Sequence, residues 1–301
     1  MSGAAHSFGT GYLHTTIGAD GAGGYLWTRR PGPDRRDALR VPDPGLVERL
    51  RAASREPVTL ALPDQAAPDA VTFRTAQAVS LAGLLLRRGP DRGAAVADTM
   101  AGTGPALARL HAVPLPATGL PASPGPRRLL TWLRDGDGPG AAAALHRRAA
   151  GLLGPDRIEQ AAAWCVPDEP RALLHGAPSL GSLLPVTAAG PGALLTGDDL
   201  SAGTPEGDVG WLAGELVEFR ALADRLGHGG PFDHDALIRA LLDGYDAPLD
   251  LAAVGRAAAV RFLCHVHDFA AYVKWHDLLG DYLKLVADTI DAAADGRLIT
   301  R

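Results

Sequence analysis

His175-Gly176-Ala177-Pro178-Ser179-Leu180-Gly181-Ser182-Leu183-Leu184 lies in a short non-helical island, 173–195, between long helical stretches. Upstream, helical patterning covers 79–87, 92–113, 127–133, 140–153 and 156–164, with a proline-rich connector over 114–126. Downstream it resumes over 209–226 and 233–242. It ends in 251–294, where Val260, Leu263, Val266, Phe269, Val273, Leu279, Leu283, Val286 and Ile290 recur at helical spacing. That last segment reads as one amphipathic helix or two, with Gly280 as the candidate break.

Before residue 78 the pattern differs. Short apolar runs at 12–17, 24–29, 38–41, 58–62 and 71–73 are separated by turn residues, as in a small antiparallel sheet. A single helical stretch, 44–54, interrupts them; Pro44 opens its first turn, and Leu46, Val47 and Leu50 form its apolar face. Gly18, Gly21, Gly23 and Gly24 read as a hairpin turn in preference to a loop that covers phosphates. The expected class is α+β, with a sheet-plus-helix lobe over 1–77 and a mostly helical lobe over 78–301. No internal repeat is visible.

Composition narrows the function classes. The chain has 301 residues, a formal charge of −5 and a pI near 6.0, so no basic surface for nucleic acid is expected. Apolar runs are too short or too interrupted by charge to span a bilayer, and the first ten residues lack the order of a secretory signal. Cys165 and Cys264 make no disulfide framework, so a cytoplasmic protein is expected. Abundant Ala, Gly, Pro and Arg, with Lys274 and Lys284 as the sole lysines, suggests a GC-rich bacterial genome.

The island resembles the catalytic loop of the aminoglycoside phosphotransferase and choline kinase-like family, which runs His-Gly-Asp with Asn five residues later. Here that Asp falls on Ala177 and that Asn on Ser182. Gly203-Thr204-Pro205-Glu206-Gly207-Asp208 resembles the family's Gly-Asp-Pro-x-x-Asp ending, which puts the metal-binding Asp at Thr196. Leu107-Ala108-Arg109-Leu110-His111 resembles a helix end of the family, and Ala38-Leu39-Arg40-Val41-Pro42 its third strand. The resemblance implies a two-lobed protein-kinase-like fold with a degenerate centre over 173–208. It places Arg40 at the phosphate-contacting position with Glu48 as partner, and His175, Asp198, Asp199 and Asp208 along a substrate or nucleotide groove.

Phosphoryl transfer needs a carboxylate beside the acceptor hydroxyl, oxygen ligands for Mg²⁺ and a cation on the phosphates. Alanine accepts no proton, and one serine hydroxyl is a weak Mg²⁺ ligand. The resemblance therefore implies a pseudokinase that uses its interlobe groove for a peptide or partner, with no cofactor or metal and with ATP and Mg²⁺ binding not expected. An atypical small-molecule phosphotransferase using Asp198 or Asp199 for Mg²⁺ is the alternative. Degenerate members of the family resemble components of actinobacterial ribosomal-peptide pathways of the class V lanthipeptide or thioamitide kind. That resemblance implies a scaffold for a companion kinase or lyase, in a hetero-oligomer, or a thioether cyclase. For a cyclase, His265, His267 and Asp268, within Cys264-His265-Val266-His267-Asp268, are the candidate acid–base groups.

Overall fold

A computed structural model describes residues 6–67, 69–86, 92–166, 168–188, 190–226 and 232–301. β1 (His6–Gly9), β2 (Leu13–Ala19) and β3 (Tyr25–Pro31) form an antiparallel meander, and β5 (Pro63–Ala67) and β6 (Ala70–Thr75) complete a five-stranded sheet in the order β1-β2-β3-β6-β5. The β2–β3 connection is a hairpin turn, closed by the Asp20 carboxylate accepting from the backbone N–H of Ala22 and Gly24. Between β3 and β5 runs α1 (Pro44–Ala53), whose N-cap Asp43 accepts from Leu46 N at 2.9 Å and whose Leu46 and Leu50 are buried one turn apart.

Two expectations for this region are corrected. Residues 38–41 form no strand; they lie in the loop between β3 and α1. The run at 58–62 does form β4 (Val58–Ala61), but β4 pairs in parallel with β9 (Gly192–Leu195), outside the five-stranded sheet. β8 (Leu183–Leu184) covers the other edge of β9. All four residues of β9 are buried, so a run of consecutive apolar residues suits the strand better than alternation.

The helical body holds α2 (Leu81–Leu86), α3 (Gly93–His111), α4 (Pro124–Asp135) and α5 (Ala142–Trp164), then α6 (Pro205–Leu226), α7 (His234–Gly244), α8 (Leu251–Tyr272) and α9 (Leu279–Ala294). Arg87, the end of the first expected helix, lies outside the described residues. The expected break near 154 appears as a kink in α5, where Gly154 takes φ 75° before Pro155. The last apolar segment is two helices, but they part at 273–278; Gly280 belongs to the first turn of α9. β7 (Ala172–Leu174) and β10 (Ser201–Gly203) form a two-stranded ribbon that frames the island. α6 and α8 pack closely because Gly210 has no side chain where the Val254 carbonyl approaches; a Cβ there would stand 2.4 Å from that oxygen.

One core fills the helical body around Leu107, Leu110, Trp132, Leu212, Leu216, Phe262 and Leu263. A second joins the sheet to the body: Ile17, Trp27, Val71 and Phe73 pack on Leu184, Ala193 and Leu195. No helix among the described residues is long and apolar enough to cross a membrane.

Candidate functional site

Asp208, in the first turn of α6, organises the loop after β7. It accepts from the backbone N–H of His175 at 2.6 Å and of Gly176 at 3.0 Å, and its Oδ2 meets His111 Nε2 at 3.0 Å. His111 is held from its other side by the Tyr245 hydroxyl at 2.8 Å. The His175 ring reaches across to the Leu195 carbonyl at 2.9 Å, tying the loop to the end of β9. Gly176 has φ 92°, and a Cβ there would lie 1.9 Å from the Asp199 carbonyl oxygen, so the two loops touch backbone to backbone.

The three positions where the resemblance expects catalytic and metal-binding groups, Ala177, Ser182 and Thr196, lie within this frame. The Ser182 hydroxyl accepts from Ser179 N at 2.9 Å and donates to the Ser179 carbonyl at 2.9 Å, stapling a tight turn. Thr196 is fully buried, with its hydroxyl donated to the Leu194 carbonyl at 2.8 Å. Ala177 brings only a methyl group. Asp198 is buried against Arg29 of β3, with Nη1 to Oδ2 2.9 Å apart. Burial raises the Asp198 carboxyl, but the Arg29 guanidinium outweighs it and holds the group below the usual carboxylate range. Asp199 is moved upward by burial and by the charge of Asp198, with Arg35 opposing at 3.1 Å.

Arg40, expected at the phosphate-contacting position, lies in the loop between β3 and α1 and lines a gap beside Asp198 and Asp199. Arg40 and Glu48 are both exposed, and no ion pair joins them among the described residues. The buried cation of the third strand is Arg29, and its partner is Asp198. The run at 24–29 includes Arg29, but the resemblance puts the family's third strand at 38–42, so Arg29 is not singled out. The available signal was the alternation in Tyr25–Pro31, which buries Trp27 and Arg29 on one face.

The His265–Asp268 segment is divided by α8 between two sides. His267 is buried against the Trp132 ring, and its Nδ1 meets Asp268 at 2.9 Å. Asp268 also takes Arg128 Nη2 at 2.7 Å, and that guanidinium lies 4.1 Å over the Tyr12 ring. Burial works against the Asp268 charge, but Arg128 and His267 keep its carboxyl well below the normal range. Burial pushes the Cys264 thiol far up. Together with the Gly11 N–H, which donates to the Tyr272 carbonyl at 2.7 Å, these groups clasp the β1–β2 loop onto α8. His265 points elsewhere, with its Nδ1 against Glu218 of α6 at 2.5 Å. The three candidate acid–base groups therefore do not converge. Among the described residues, no group of three or more His, Cys, Asp or Glu side chains is placed to hold a metal ion.

No protein-family model matches the chain, and no curated protein sequence does. Solved structures do resemble it. The GDP complex of aminoglycoside 2'-phosphotransferase-IIIa is 13% identical with a TM-score of 0.54, over 97% of this chain and 93% of that one. An ethanolamine kinase of Plasmodium vivax gives 0.54 at 10% identity, over 94% and 78%. The ADP-bound aminoglycoside phosphotransferase APH(2'')-Ib gives 0.50 at 11% identity, over 99% and 95%. The chain has the aminoglycoside phosphotransferase-like kinase fold.

In this kinase-fold chain a side chain takes up part of the space between the lobes. Trp27, 2% exposed, sits between the sheet and β9, and its indole Nε1 donates to the Gln77 carbonyl at 2.8 Å in the segment linking the lobes. The same carbonyl accepts from the Thr75 hydroxyl at 3.0 Å. A cavity of about 330 Å³ lies among β4, Thr75, Gln77, Pro191 and Ala193; the gap between Arg35, Arg40, Arg127, Asp198 and Asp199 holds about 20 Å³. It meets, at Ala122 and Arg127, a groove of about 340 Å³ in the helical body, walled by Leu130, Trp211 and Val260 and reaching Gly176. Cys165 lines that groove, its thiol raised to about 12 by burial.

Proposed function

We propose that this chain is a pseudokinase: a kinase-fold protein that binds a peptide or partner protein and transfers no phosphoryl group. Trp27 carries the reading. Its indole fills the space under the sheet and, with Thr75, takes both lone pairs of the Gln77 carbonyl, leaving a planar base neither room nor that acceptor.

The residues present do not fit Mg²⁺ either. The ion wants several hard oxygen ligands in octahedral array. The Ser182 and Thr196 hydroxyls are spent on the chain itself, Ala177 has no oxygen, and a guanidinium holds Asp198. Asp199 alone does not make a site, so the alternative of an atypical phosphotransferase is not favoured.

A groove of about 340 Å³ opens beside the former catalytic loop, and it is the place we assign to a peptide chain; two tryptophans, Trp164 and Trp211, line it. The setting we propose is cytoplasmic maturation of a ribosomally made peptide of the lanthipeptide kind, in company with a kinase or lyase. A scaffold role is favoured over thioether cyclisation, because His267 and Asp268 are bound into the clasp while His265 is paired with Glu218 of α6, so the three groups do not converge.

Thermal unfolding with Mg·ATP, together with an ADP-release assay, tests the nucleotide half. No saturable shift and no turnover are expected; Mg²⁺-dependent stabilisation with product formation would sink the reading. Adenosine should raise the Tm of Trp27→Ala and leave the parent unmoved.

A further inference from the structure

α6 and α8 face each other through two ionic rungs. Glu215 pairs with Arg261, and one turn further Glu218 pairs with His265 at 2.5 Å. The first rung is anchored in the loop, because Glu215 also accepts from Leu180 N at 2.7 Å. The second opens outward. The Glu218 side chain is 8% exposed, whereas that of His265 is 39% exposed.

A carboxylate only accepts, so the His265 proton directed at Glu218 is on Nδ1, and Nε2 of the neutral ring is an acceptor. No described residue bonds Nε2. His265 lines a cavity of about 190 Å³ whose other walls are Val266, Phe269, Leu278, Leu279, Tyr282 and His276. The His276 Nδ1 accepts from Leu278 N at 3.2 Å, which leaves its Nε2 as a donor in the neutral ring. The Phe269 ring meets both imidazoles edge-on, at 6.5 Å from each.

We propose that this cavity is a binding site for an aromatic ring carrying one hydroxyl, such as a tyrosine side chain, whose O–H donates to His265 Nε2 while Glu218 fixes the tautomer. The chemistry of the walls selects this class. Phe269, Tyr282 and Leu279 provide apolar surface, and the imidazole provides one oriented acceptor at its edge. A charged ligand would lose its hydration here without gaining a counter-ion, because Glu218 already occupies the inner side of His265. The site is independent of the nucleotide reading, since it shares no residue with the interlobe space or with the groove at Gly176.

A double-mutant-style cycle on the full chain tests it, with p-cresol and toluene as probes and ring shifts of ¹⁵N-labelled histidine as the readout. Comparing the cresol-to-toluene affinity ratio between the parent and His265→Leu cancels the hydroxyl's own desolvation. The ratio should fall about tenfold in the variant, the worth of one oriented hydrogen bond. Glu218→Leu, which releases the tautomer, should lose most of that factor. Glu218→Gln, whose amide oxygen still accepts from Nδ1, should keep it. A ratio unchanged within twofold in His265→Leu, shifts that map away from His265 and His276, or a factor that survives Glu218→Leu would each overturn the proposal. Toluene affinity serves as the check that the cavity remains intact in every variant.

Discussion

Asp208 gathers three donors that would otherwise be buried without partners: two backbone N–H groups and the His111 imidazole. Asp208→Ala should therefore destabilise the fold by about 3 kcal/mol or more, since orphaned buried donors each carry their desolvation penalty. Urea unfolding checks it. A larger effect is expected at Gly176, where φ 92° and the Asp199 carbonyl both oppose a side chain. Gly176→Ala should yield little folded protein, read by circular dichroism and soluble expression. Both residues hold the loop after β7 in place. Ala177 and Ser182, where the resemblance expects proton-accepting and metal-binding side chains, lie in the same loop, and Thr196 follows the end of β9.

At the scale of elements, α8 is the beam on which the lobes meet. Its Asp268 side holds Arg128 of α4 and, through it, Tyr12 of the β1–β2 loop; its His265 side holds Glu218 of α6. Arg128→Met should cost about 3 kcal/mol, because it leaves the Asp268 charge half-buried with His267 alone. The pH dependence has a fixed sign. The Asp268 carboxyl is depressed in the folded state, so its contribution is complete above the unfolded value near 4 and fades as pH falls through the folded value. Stability should decline on acidification from roughly pH 5 toward pH 2, and Arg128→Met should flatten that limb. Denaturant midpoints measured across this range decide it.

For the whole molecule, the second core seals the sheet to the helical body through Trp27, Phe73, Leu184 and Leu195, while the clasp at Tyr12 ties the β1–β2 loop to the helices. Trp27→Ala should remove about 3–5 kcal/mol, as large core truncations do, and should leave a cavity between the lobes. The loss should appear in equilibrium unfolding. A smaller loss would mean that the lobes collapse into the vacated space. The parent chain is expected to behave as one unit in which the lobes unfold together, because β4 pairs with β9 across the expected lobe boundary.

Much of the architecture was legible in the residue pattern. Alternating short runs before residue 78 and 3.6-residue periodicity after it gave the order of sheet and helices, because both periods follow from local backbone geometry. The joint spacing of His175, Thr196, Pro205 and Asp208 carried the resemblance to the kinase-like fold that the chain has. Pairing partners were not legible. Arg29 finds Asp198 169 positions away, β4 leaves the sheet for β9, and neighbours in sequence such as His265 and His267 point to opposite sides of one helix. Local propensity fixes which segments are strands and helices. Only the packed chain decides which faces meet, and so only the tertiary structure put an indole and a guanidinium in the space between the lobes.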